Sequence, residues 1–261
     1  MSTAVLIIVL VVIEVGATAL GIVIGRRIRQ RPSANHEPVG VVQTTLLGLV
    51  GLLLAFGLTM AVGRFEMRRD LIVKEANTLG TTFLRAQTLE EPFRSASITS
   101  LTTYGDAVVS LSEVVPDSRR FRSTAAEIET LQRTLWDLAG QAVTAAPEAT
   151  APRLYIETLN ELIDVHAERA NSLRNRVPSP VTVLLVLGSA VALATLALYL
   201  TMLGRGLVTS LVSAAVVALI LFVSFDLDRP SRGFITIPNR ALVEQRASMD
   251  PPLAFDPDRT P

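Results

Sequence analysis

Glu14 is the only ionisable residue in the apolar run from Ala4 to Ile24. A carboxyl in the middle of such a run is costly to bury, which marks it as a candidate for an ion pathway or a proton relay. The same side chain, protonated or paired at an interface, would also serve as a polar tie that fixes helix association. A second candidate set is Leu52, Phe56 and Met60, spaced at i, i+4 and i+8. On one helix face around an oligomer axis they would form stacked apolar rings that gate by dewetting. Facing lipid or a neighbouring helix, they would be ordinary packing. The third set is charged and polar. Arg64, Arg68 and Arg69 follow the trio, Glu75 and Asn77 come soon after, and Asp228-Arg229 close a later apolar run. These seven are expected to share an interfacial layer, where arginines meet acids of the protein or lipid phosphates.

Other polar groupings carry weaker chemistry. Glu157, Glu161, Asp164 and Glu168 form an acidic stripe, but hard-cation sites draw ligands from turns and several elements rather than one helix face. That stripe reads as a solvated or arginine-paired surface. Asp226 and Asp228 lie two residues apart and read better as helix termination than as a cation site. The chain has no cysteine, which excludes disulfides and thiolate chemistry, and only two histidines, His36 and His166. No glycine-rich phosphate loop, nucleophile elbow or carboxylate beside a plausible base is present. No enzyme activity, metal or cofactor is expected. A formal net charge of zero gives no reason to expect a nucleic-acid partner. Lys74 is the single lysine among 24 basic residues, a bias that fits a GC-rich genome.

These groups must be positioned by membrane-spanning helices. About twenty apolar residues cross the hydrocarbon, and four runs meet that length: Ala4–Ile24, Val39–Val62, Val181–Leu203 and Leu207–Phe225. Ala17-Thr18-Ala19 has the form of a signal cleavage site, but no basic residue precedes the first run and the run continues past it. The last two runs are separated only by Gly204-Arg205-Gly206, so they predict an antiparallel hairpin. Orientation follows from basic residues. Total count puts the middle segment on the cytoplasmic side, and the first hairpin alone puts it on the other.

From Arg64 to Pro178 the apolar residues repeat at helical spacing. Phe65, Ile72, Ala76, Leu79 and Phe83 continue the second span as one rod. Further helices are predicted after Pro92, after Asp117 and from Pro152. The expected fold is an all-α integral membrane protein, four transmembrane helices with a helical bundle inserted between the second and third. The expected divisions are a first hairpin at 1–63, the extramembrane bundle at 64–178, a second hairpin at 179–225 and a tail at 226–261 whose last part is disordered.

Leu54-Ala-Phe56, Arg64, Arg68-Arg69 and Val73-Lys-Glu75-Ala-Asn77-Thr-Leu-Gly80 together resemble the uncharacterised bestrophin-like membrane family. His166-Ala-Glu168-Arg169, Leu173-Arg174 and Leu227-Asp228-Arg229-Pro230-Ser-Arg-Gly233-Phe extend the likeness from Val39 to Arg240. That family is named for its distant similarity to bestrophin anion channels. The resemblance implies four spans, a cytoplasmic helical region and a homo-oligomer in the cell membrane. It also implies a second span that lines a pore for chloride or other small anions. The dense acidic cluster that clasps calcium in animal bestrophins has no counterpart here. Leu52, Phe56, Met60 and Glu14 are the pore-lining candidates. The alternative is a non-conducting scaffold or sensor in the lipid bilayer, whose bundle binds a partner.

Overall fold

The computed structural model describes residues 3–30, 37–116, 118–175, 177–204, 206–229 and 233–250. Residues 251–261, read from sequence as disordered, lie outside this set, as do Arg205 and Pro230–Arg232. Among the described residues there are eight helices and no strands. In order they are α1 (Thr3–Arg29), α2 (Glu37–Ala86), α3 (Phe93–Glu113), α4 (Arg119–Ala145), α5 (Thr150–Arg174), α6 (Ser179–Met202), α7 (Leu207–Leu227) and α8 (Arg240–Ser248). Four of them, α1, α2, α6 and α7, are long and apolar enough to cross a membrane. The chain forms two compact units.

The first unit holds residues Met1–Phe65 and Arg176–Thr236. Here α1 and α6 run parallel: Glu14 meets Ser189, Gly21 meets Ala194 and Gly25 meets Leu198. A parallel first and third span is what four crossings require. The closeness of the pair comes from Gly21 and Gly25, small residues four apart that let two backbones approach. A Cβ added at Gly21 would lie 2.1 Å from the Ala194 carbonyl oxygen, and one at Gly25 would lie 2.7 Å from that of Leu198. Leu6, Leu10, Val50, Leu54, Leu185 and Leu221 form the apolar interior. The link from α6 to α7 turns through Gly204 and Gly206, whose φ angles of +75° and +136° suit glycine.

Gly21→Ala is therefore expected to destabilise this unit by ~1–3 kcal/mol, since the clash is with backbone that cannot rotate away. Gly16 supplies the control, because nothing lies within 4 Å of a Cβ placed there. Gly16→Ala should be neutral or stabilising by up to ~1 kcal/mol through helix propensity. Thermal unfolding of both variants in one detergent reads the difference, and equal melting points would contradict the tight seam.

The second unit holds residues Glu66–Asn175 and Ile237–Pro261. Its core includes Leu79, Leu101, Tyr104, Ile128, Leu135 and Leu159, all essentially inaccessible. No proline interrupts α2 after Pro38, so the helix continues for 50 residues, more than twice what a span needs. Ser118 caps α4, its hydroxyl accepting from the Phe121 amide at 3.0 Å.

The stretch read from sequence as tail contains α8, whose Leu242 is fully buried in this core. Gly80 and Gly105 make room for it: Cβ atoms there would lie 2.6 Å from the Gln245 side chain and 2.9 Å from that of Arg246. Arg246 pairs with Asp106 at 2.8 Å and also with Asp250. A nine-residue helix with one buried leucine carries little periodic signal, so only the packing reveals it.

Candidate functional site

Helix α2 presents an apolar surface within the first unit. Leu52, Phe56 and Met60 are 54%, 58% and 42% exposed in the single chain, while Leu54 on the inner side is buried. The inner side seats closely on α6, since a Cβ at Gly57 would lie 2.7 Å from the Leu185 side chain. The trio therefore packs little within its own chain and is free to meet lipid, another copy or an aqueous path. Glu14 differs, being fully buried. Its Oε1 accepts from Ser189 Oγ at 2.7 Å, and its backbone carbonyl accepts from Thr18 Oγ1 at 2.7 Å. In one chain it faces α6 rather than an open surface.

The charged candidates fall in both units. In the first, Arg64 Nη1 lies 3.9 Å from Asp228 Oδ1, and the Asp228 carboxylate accepts the Val177 amide at 3.0 Å. Two residues earlier, buried Asp226 accepts the amides of Phe234 and Ile235 at 3.1 and 2.8 Å. A Cβ at Gly233 would lie 2.8 Å from that carboxylate, so the close wrap of chain needs glycine. These two aspartates organise the corner after α7.

In the second unit Arg68 is fully buried. It donates from Nε to the Ser172 carbonyl at 3.2 Å and from Nη2 to that of Asn175 at 2.7 Å. A guanidinium there satisfies carbonyls at the end of α5, where the helix dipole favours a cation. Glu75, also fully buried, accepts from Arg169 Nη1 and lies 2.7 Å from His166 Nδ1. Tyr104 from α3 sets its ring edge-on to His166 at 6.0 Å. Burial first, and the Glu75 charge second, push the Tyr104 hydroxyl well above its ordinary pKa, so it stays neutral. Arg69 and Asn77 are exposed, and Arg229 is half-buried.

His166, Arg169 and Tyr104 were not singled out as site residues by sequence. The signal that could have found the first two is the i, i+3 spacing on α5, which puts both on the face turned to Glu75. The acidic stripe is exposed and meets cations: Lys74 lies 3.5 Å from Glu168 and Arg85 lies 4.0 Å from Glu157. No grouping of three metal-ligating side chains occurs among the described residues.

Comparison with known proteins places this geometry. No curated protein matches the chain. Solved structures do. A bacterial bestrophin homologue from Klebsiella pneumoniae, in a single-substitution variant, aligns with TM-score 0.67 at 15% identity, covering 94% of this chain and 99% of the homologue. Another variant of it aligns with TM-score 0.62 at 14% identity, over 90% and 99% of the two chains. A further membrane-protein structure aligns with TM-score 0.67 at 16% identity, over 94% and 96%. At such identities the likeness is one of fold. The family model for the bestrophin-like domain matches residues 11–242, and the chain belongs to that family of multi-pass membrane proteins.

Proposed function

We propose that this chain is one subunit of an oligomeric channel in the cell membrane that passes chloride or other small anions along an axis lined by α2. The observation that supports it is the set of large apolar side chains, Leu52, Phe56 and Met60, left exposed on a helix whose other side is packed. Repeated around an axis they form the apolar rings expected of a dewetting gate. In this reading α3, α4 and α5 belong to an extramembrane bundle between the second and third spans, on the cytoplasmic side. Arg64, Arg68, Arg69, Glu75, Asn77, Asp228 and Arg229 are assigned in this reading to an interfacial layer, where arginines meet acids of the protein or lipid phosphates. Glu14, buried in the single chain, is left out of the conducting path in this reading.

The test joins oligomeric state to conduction. Purified protein in mild detergent is expected to run by light scattering as an assembly of several subunits. Liposomes holding it are expected to release chloride above protein-free controls. A monomer removes the shared axis, and an assembly without chloride release at verified incorporation removes the channel.

A further inference from the structure

The buried environment of Glu14 has one hydroxyl proton too few for the contacts it makes. Ser189 Oγ lies 2.7 Å from Glu14 Oε1 and 2.9 Å from the Val186 carbonyl oxygen. Both of those oxygens are acceptors when Glu14 is a carboxylate, and serine has a single proton to give. One proton can serve both contacts only as a weaker three-centre bond, and two full hydrogen bonds require that the Glu14–Ser189 pair bring a second proton. Glu14 is the group that can carry it. Its other oxygen, Oε2, is buried with no hydrogen-bond partner among the described residues.

Among the described residues of this unit no countercharge is placed to serve instead. From Ser179 to Met202, α6 has no Asp, Glu, Lys or Arg, and its one titratable group, Tyr199, comes ten residues after Ser189. In α7 the only charged residue is Asp226, in the last turn and bonded to the chain that follows it. The part of α2 in this unit has no charge between Glu37 and Arg64. On α1 the nearest is Arg26, twelve residues along, ~18 Å away on a helix. A metal cation would need several oxygen ligands around it, and one serine and one carboxyl do not supply them.

We propose that Glu14 is a proton-binding site inside the membrane unit. The proton sits on Oε1 and is donated to Ser189 Oγ, whose own proton goes to the Val186 carbonyl. The chain of bonds ties α1 to α6 at the seam that Gly21 and Gly25 close further along. It does not depend on whether the protein conducts.

Infrared absorption of the protein in lipid at neutral pH tests this, because exposed carboxylates are ionised there. The expected spectrum contains the carbonyl stretch of one protonated carboxyl per chain, moved by carbon-13 labelling of glutamate. That band is absent from Glu14→Gln and displaced in Ser189→Ala, which loses the bonded hydroxyl. Glu14→Gln keeps a donor toward Ser189 and is expected to fold, whereas Glu14→Leu loses the tie and melts lower. If the glutamine variant does not fold, the isotope shift and the Ser189→Ala displacement still identify the band. A folded wild type with no protonated-carboxyl band overturns the proposal, as does a band that Ser189→Ala leaves in place.

Discussion

Replacing Glu75 by glutamine is expected to cost ~3–5 kcal/mol of stability in the second unit, because it leaves the Arg169 guanidinium buried without its anion. Glu75 is fully buried, and the Arg169 side chain is 5% exposed. Removing one partner of such a pair strands the other. The cost is far more than a lost hydrogen bond, which nets ~0.5–1.5 kcal/mol. Glutamine keeps only one acceptor oxygen, so Arg169 Nη1 and His166 Nδ1, which now meet one carboxylate oxygen each, can no longer both do so.

A neighbouring pair gives the contrast. Lys74 and Glu168, 3.5 Å apart, have side chains 52% and 59% exposed. Lys74→Ala should cost at most ~1 kcal/mol, as surface pairs do. Thermal unfolding of the three proteins in one detergent orders them as wild type, then Lys74→Ala close behind, then Glu75→Gln far below. Replacing Glu75 and Arg169 together with apolar residues should recover part of the loss, since the stranded charge is gone. An Arg169 that tolerates Glu75→Gln without loss would mean that its charge is met elsewhere.

How far such features can be read from sequence depends on their period. The spans are legible because hydrocarbon demands a run of fixed length, and composition reports it directly. The helices from Phe93 to Arg174 are legible because one face of each is apolar. What sequence does not carry is the identity of partners far apart in the chain. Among the partners of Arg68 are two backbone carbonyls, groups that every sequence position offers and that no residue type marks.

Asp226 reads as a helix stop, and its work is to hold two amides eight and nine residues later. Glu14 is legible as an anomaly in an apolar run. Its partner is not, because serine is common in spans and only the parallel packing of α1 on α6 selects Ser189. Gly21 and Gly25 illustrate the same limit: the spacing is visible, but their role is set by Ala194 and Leu198 opposite them.

Phe56→Ala is expected to raise chloride release from liposomes above wild type, and this carries the functional proposal furthest. Phe56 is the bulkiest of the Leu52, Phe56 and Met60 series, so a ring of it forms the narrowest apolar girdle. Such a girdle excludes ions by failing to stay wet, and shrinking the side chain lets water remain. A tenfold rise in rate corresponds to a barrier lowered by about 1.4 kcal/mol, a modest demand for a change of this size at a dry constriction.

Stability separates this outcome from simple damage. A buried phenylalanine cut to alanine costs ~3–5 kcal/mol, but Phe56 is 58% exposed in its own chain, so the subunit should fold nearly as well without the ring. The expected signature is therefore faster chloride release with an unchanged subunit fold and an unchanged oligomeric state. Were Phe56 to face lipid, the substitution would leave release at the wild-type rate. Were it a contact between copies, the assembly would loosen in light scattering before any change in flux. Release that matches wild type from intact assemblies would remove Phe56 from the conducting path, and with it the reason for placing α2 on the axis.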